Sequence, residues 1–143
     1  MPDKKPRSKD FARKKEPKNI ENPEGFYARF PSWRFSKIDD EHEKWSFSKN
    51  GVWINPKIRL RFSDFEKQEW KHIIGDRNHF ISIHQLVKEA QNRITALGLH
   101  YDKLFSLTIN GEERIFGILE DGALFFLWYD EKHEICPSQK KHT

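Results

Sequence analysis

LFSLTINGEERIFGILEDGALFFLWYDEKHEICP, residues 104–137, reads as three consecutive β-strands joined by two tight turns, with a polar cluster at the mouth of the last strand. Asn110-Gly111 is a strong hairpin signal, because both central positions of a type I′ turn need positive φ. Asp121-Gly122 repeats it eleven residues on. Residues 124–129 are apolar throughout, as expected of a strand buried on both faces. The stretch predicts an antiparallel meander with its third strand near the sheet centre. Two features do not belong to a plain core. Arg114 lies inside the middle strand, and Asp130, Lys132, His133 and Glu134 crowd the exit of the third.

Upstream of the meander, Ile83, Leu86, Val87, Ala90, Ile94 and Leu97 recur at three- and four-residue steps. That spacing predicts a helix over residues 82–97, stopped by Gly98. Its other face carries Lys88, Gln91, Asn92 and Arg93, solvent-facing chemistry unless it points at a ligand. Ser63-Asp64-Phe65-Glu66 reads as a capping box opening a shorter helix that Gly75 ends. Just before it, Lys57, Ile58, Arg59, Leu60, Arg61 and Phe62 alternate cation with apolar residue, so an extended segment would show three cations on one face. This is either a basic stripe along a groove or an edge strand whose charges discourage edge-to-edge pairing.

Residues 33–38 alternate in the manner of a strand, Asp39, Asp40 and Glu41 mark a turn, and residues 44–47 and 52–54 flank Asn50-Gly51 as a second candidate hairpin. Residues 1–24 hold four prolines, many charges and almost no apolar side chains, which predicts a disordered basic arm over residues 1–25. One domain then spans residues 26–137, and residues 138–143 form a short, frayed tail. Strands first, then two helices packed side by side on one sheet face, then a meander, make an α+β fold whose other sheet face is open to a ligand.

The chain has 143 residues, 36% of them apolar and 14% aromatic, enough for one modest core in which twelve Phe and five Trp contribute most area. No apolar run reaches the length of a membrane helix and the N-terminal segment has no apolar signal core, so a soluble, cytoplasmic protein is expected. The single cysteine, Cys136, excludes an internal disulfide and a Cys-rich zinc site. Net charge is +4, but residues 1–18 carry eight Lys/Arg against three acids, while residues 101–143 carry five against eight. A basic arm on a body with an acidic end suits a polyanion such as nucleic acid, or simply keeps the protein dispersed.

Arg114 either pairs with Glu112, Glu131 or Asp130, or lines the open sheet face and grips a phosphate with both guanidinium edges. The corner from Asp130 to Glu134 is either a polar turn or an acid/base site. In the second case a neighbouring anion raises the His133 imidazole pKa and fixes its tautomer, and Lys132 neutralises charge developing on a phosphorane. The seven histidines include no His-x-His or His-x3-His pair, although His79 and His84 flank the second helix start closely enough to share a metal. There is no Gly-rich phosphate loop and no serine elbow.

Two helices, then a three-stranded meander with an arginine in its middle strand and a histidine just after its last, resemble the RelE/ParE-like toxin superfamily, whose ribonuclease members cut mRNA on the ribosome. The resemblance rests on KLFSLTINGEERIFGILEDGALFFLWYDEKHEI, residues 103–135, preceded by NRITALGL. More narrowly, RIFGILEDGALFFLWYDEKHEICPS is similar to the C-terminal signature of small bacterial proteins with an Arg-x-x-Gly strand and a Trp-x-Asp-x-x-His-x-x-x-Pro ending. The superfamily resemblance implies a metal-independent endoribonuclease of a toxin-antitoxin system, with no cofactor and with RNA and an antitoxin protein as partners. It implies that Arg114 holds the scissile phosphate and that His133 is the acid or base, beside Asp130 and assisted by Lys132. Lys57, Arg59, Arg61 and Arg93 would hold the RNA backbone through salt-sensitive contacts. The alternatives are a non-catalytic nucleic-acid-binding or protein-interaction module of the same fold, and a metal-dependent phosphodiesterase using His79 and His84.

Overall fold

The computed structural model describes residues 23–137, so the tail expected over residues 138–143 and all but the end of the expected basic arm lie outside the described residues. The first described element is a 3-10 turn, Pro23–Phe26, whose Phe26 is buried. The meander forms as the sequence predicts: β3 (Lys103–Asn110), β4 (Glu113–Glu120) and β5 (Ala123–Asp130) pair antiparallel in succession. Two short strands complete a mixed sheet. β1 (Ser32–Arg34) runs parallel to β5 and β2 (His79–Ser82) antiparallel to β3, giving the order β1-β5-β4-β3-β2. β4 is therefore the central strand and β5 is interior, paired on both sides.

The two hairpin signals resolve differently. Asp121 and Gly122 have φ of 54° and 89°, the pair of positive values a type I′ turn needs. At the first turn Asn110 pairs with Glu113, so Gly111 and Glu112 are the central residues, and only Gly111 (φ 53°) is left-handed. The predicted type I′ turn on Asn110-Gly111 therefore does not form; the turn centres one residue later and has a single left-handed position, as the β3–β4 register slips between Thr108 and Asn110. A second slip lies between β4 and β5. Phe116 faces Trp128 while Gly117 faces Phe126, which leaves Leu127 as an extra residue. There the backbones approach so closely that a Cβ on Gly117 would be driven into the Phe125 carbonyl.

Apolar side chains leave both faces of the sheet and build two cores. On one face, α1 (Pro56–Glu66) and α2 (Trp70–Ile73) bring Ile58, Phe65 and Trp70 onto Phe105, Ile115 and Phe126. On the other, α3 (Lys88–Ala96) brings Ala90 and Ile94 onto Leu104, Phe116 and Leu127. The predicted pair of helices packed side by side on one face is therefore corrected to helices on opposite faces. The reason is β2: an edge strand between α2 and α3 carries the chain around the sheet.

Residues 57–62 are not a strand. Pro56 at the first helical position cannot donate to a ladder, and Asn55 caps α1 by accepting from the Lys57 amide at 3.0 Å. Ile58 and Phe65 then fall on one helical face, and the predicted capping box at Ser63 lies inside the same helix. The second helix starts at Lys88, since Ser82 and Gln85 form their capping box around a separate 3-10 turn, Ile83–Gln85. The hairpin expected at Asn50-Gly51 is replaced by turns and a 3-10 segment, Val52–Ile54, folded around Asp40, which accepts from Ser46 Oγ (2.7 Å) and the Ser48 amide (3.0 Å).

A buried carboxylate ties the segment between β1 and α1 to the rest of the fold. Asp39 accepts from Arg93 Nε and Nη2, each at 2.8 Å, and from Trp128 Nε1 at 2.8 Å, while its amide donates to the Leu127 carbonyl. Burial alone would raise its pKa, but Arg93 and Trp128 hold it below the ordinary 3.8. Among the described residues no helix is long and apolar enough to cross a membrane.

Candidate functional site

Strand register places the polar cluster. His79 pairs with Ser106 and Ser106 with Phe116, while Thr108 pairs with Arg114 and Arg114 with Asp130. Paired residues point to the same side, so these rows share the sheet face that carries the second core. The apolar residues under α3 on this face are Leu104, Phe116 and Ile118, and the end holding Ser106 and Arg114 opens into a cleft of about 530 Å³. Arg77, His79, Ser106, Arg114, His133 and Cys136 are among its walls. Arg114 and His133, separate candidates in the sequence, thus line one cleft.

Arg114 is half-buried, and its Nη1 donates to the carbonyls of Gly111 (2.6 Å) and Glu113 (3.2 Å). Among the described residues no carboxylate lies within ion-pair distance of it, so the bridge to Glu112, Glu131 or Asp130 does not form. Burial first, then the positive charge of Arg77, pushes its pKa down, against the pull of Asp130 and Glu112. It remains a cation, held by backbone carbonyls and without an ion-pair partner among the described residues.

The corner at the exit of β5 is both a turn and part of the cleft. Asp130 is 1% exposed, and its carboxylate accepts from the amides of Glu134 (2.9 Å) and Ile135 (2.7 Å). Burial raises its pKa despite those two bonds. This carboxylate anchors the turn rather than standing free for catalysis. Closing the turn forces His133 into the left-handed region at φ 60°, a conformation costly for a side-chain-bearing residue. The carbonyl of Ile135 accepts from the Val87 amide, which pins the far side of the turn to the start of α3.

The electrostatics of His133 reverse the sequence expectation. Burial, then the charge of Arg114, pushes the imidazole below its ordinary 6.5, and Asp130 opposes this only in part. The reason is the partner: the expectation weighed the carboxylates beside His133 and not the guanidinium across the sheet. A neutral imidazole near pH 7 is fitted to accept a proton rather than to donate one.

The remaining predicted residues separate. Lys132 points into a different recess, with Glu43, Lys44, Glu131 and Glu134, and does not line the cleft. Lys57 and Arg61 line a second, neighbouring cleft of about 780 Å³ between α1 and the β3–β4 turn, and the Arg61 guanidinium lies 4.3 Å from the Phe65 ring centre. Arg59 is exposed and lines neither cleft, since the helix turns it away from Lys57 and Arg61. Arg93 is committed to Asp39. His84 Nε2 bonds Ser82 Oγ at 3.0 Å and does not line the cleft that holds His79. Among the described residues no three His, Cys, Asp or Glu side chains converge as a metal site. Cys136 is half-buried and burial raises its thiol pKa, so it is a poor nucleophile at neutral pH.

Sequence reasoning missed Arg77, which reads as one residue of a polar link. No local pattern marks it, because its place in both clefts depends on the side-chain amide of Asn78 joining β3. Compared with protein-family models, curated proteins and solved structures, the chain matches none.

Proposed function

We propose that the cleft at Arg114 and His133 binds RNA and cleaves it without a metal, as a RelE-like toxin partnered by an antitoxin protein would. One observation carries this reading: an arginine with no carboxylate partner among the described residues and a histidine biased toward its neutral form, from separate parts of the chain, line one cleft. Arg114 takes the two non-bridging oxygens of the scissile phosphate. His133 accepts the proton of the adjacent ribose 2′-hydroxyl, whose oxygen forms a bond to phosphorus as the bond from phosphorus to the 5′-oxygen breaks. The leaving oxygen takes a proton from water, and the products are a 2′,3′-cyclic phosphate and a 5′-hydroxyl. Arg114 also stabilises the negative charge that grows on the phosphorane.

The test is end-labelled RNA incubated with the purified protein in excess chelator, free and on translating ribosomes, with inducible expression in bacteria alongside. Cleavage to cyclic-phosphate ends and growth arrest are expected. Arg114→Gln and His133→Asn should each lower cleavage by about a hundredfold or more and relieve the arrest. Intact RNA and normal growth at full expression would refute the activity. Bound but intact RNA would leave a non-catalytic binding module.

A further inference from the structure

We propose that the RNA site is an extended track, in which the strand passes from the Arg114–His133 cleft over Arg77 into the cleft under α1, and that Arg77 holds a phosphate between the two. This rests on the preceding reading and adds to it the class of substrate: a single strand longer than the cleaved dinucleotide, held by cations on three separate segments. The observation behind it is that the two clefts, about 530 and 780 Å³, share Arg77 as a wall. Its side chain is exposed and makes no ion pair or hydrogen bond among the described residues.

Its backbone, by contrast, is fixed. Asn78 Oδ1 accepts from the Thr108 amide at 2.7 Å, Asn78 Nδ2 donates to the Ile73 carbonyl at 3.0 Å, and the Gly75 amide donates to the Asn78 carbonyl at 2.9 Å. Thr108 Oγ1 donates to the carbonyl of Arg77 itself. The backbone that carries the cation is therefore ordered before an anion arrives, and only the side chain has freedom left to lose. Arg77 is also close enough for its charge to act on Arg114. A phosphate between two such guanidiniums removes their repulsion as well as adding its own attraction. Lys57 and Arg61, one helical turn apart on α1, continue the line.

Carboxylates are present too. Asp76 lines the first cleft, and Asp64 and Glu113 line the second, where Glu113 already accepts from Tyr129 Oη at 2.7 Å. They exclude phosphate from their own positions and suit the amino groups of exposed bases. A single strand presents such groups unpaired; a duplex does not. The acidic balance of the meander is thus compatible with RNA, because the cations of the track come mainly from α1 and the loop before β2.

The test is fluorescence anisotropy with labelled, cleavage-resistant 2′-O-methyl oligonucleotides of increasing length, from dinucleotide upward. Affinity should rise with length and then level off. Arg77→Ala, at an exposed position, should weaken the longer oligonucleotides by about tenfold, leave the dinucleotide within about twofold, and reduce the salt slope by about 0.7. The pair Lys57→Ala and Arg61→Ala should remove only the gain with length. Equal losses at every length, or none, would overturn the track while leaving the Arg114–His133 site standing. Absence of binding at any length, or preference for an acidic peptide of the same charge, would overturn both. Unchanged thermal melting of Arg77→Ala establishes that the loss is not one of folding.

Discussion

Replacing Asp39 by alanine removes a buried carboxylate that joins the segment before α1 to both α3 and β5. Three hydrogen bonds end on it at 2.8 Å, two from Arg93 and one from Trp128, and its side chain is 3% exposed. Charge-assisted bonds contribute about 1.5–3 kcal/mol each, but a sum of three overstates the loss. The Arg93 side chain is 28% exposed and recovers part of its solvation once released, whereas the Trp128 N–H is sealed inside and does not. The expected cost is about 3–5 kcal/mol, the range for breaking a buried pair by removing one partner. Asp39→Asn keeps one acceptor and the volume, and should cost about 2 kcal/mol. Guanidinium unfolding followed by tryptophan fluorescence measures this as a fall in midpoint at constant slope. A cycle with Arg93→Ala should give a coupling of about 1.5–3 kcal/mol. A cost below about 1 kcal/mol, or additive single effects, would refute the staple. The pH dependence supplies an independent check. Asp39 is held below 3.8 in the fold, so its contribution is complete above that value and is lost as pH falls through the folded pKa. Asp39→Asn should lack that part of the acid loss.

Other perturbations separate site from scaffold. Arg93→Ala should lower stability yet leave the RNA affinity of the folded protein within about twofold, since its guanidinium already serves Asp39; titration with oligonucleotide below the melting temperature reads this out. His133→Gly should raise stability by about 1 kcal/mol by relieving the left-handed backbone while abolishing cleavage, and a melt beside an RNA assay checks both arms. With His133 as the proposed base, the acid limb of any cleavage profile should lie below 6.5, because the imidazole must be neutral; removing the Arg114 charge should raise the His133 pKa, which NMR titration of Arg114→Gln measures. Gly117→Ala should destabilise by about 1–3 kcal/mol, since the obstacle to its Cβ is the Phe125 carbonyl and not a movable side chain, and thermal unfolding tests it.

The Arg-x-x-Gly strand and the Trp-x-Asp-x-x-His ending acquire physical content from these contacts. Gly117 is where two strands approach too closely for a side chain, and the slip beside it sends Leu127 and Trp128 into the same core. Trp128 reaches Asp39, Asp130 closes the turn, and the turn carries His133 back toward Arg114. Arg93 looked like a free cation on a polar helix face, because nothing in its own helix hints at a carboxylate many residues earlier. Lys57, Arg59 and Arg61 looked like one stripe because alternation over six residues does not distinguish a strand from a helix of which only one turn and a half is sampled. Pro56 and Asn55 decide between them, and a helix splits the stripe, keeping Lys57 and Arg61 together and turning Arg59 away.

By itself the sequence determined the meander, its apolar third strand, its type I′ second turn and the two residues that meet in the cleft. Each of these is written in local pattern: continuous apolar runs, left-handed turn residues, a charge inside a strand and a polar cluster at a strand end. Only the tertiary structure decided that the helices lie on opposite faces, that Lys132 and Arg93 stand apart, that Arg77 joins two clefts, and that His133 is pushed toward its neutral form. Those outcomes depend on which distant groups the fold sets side by side, and both burial and Coulomb interactions act through space rather than along the chain.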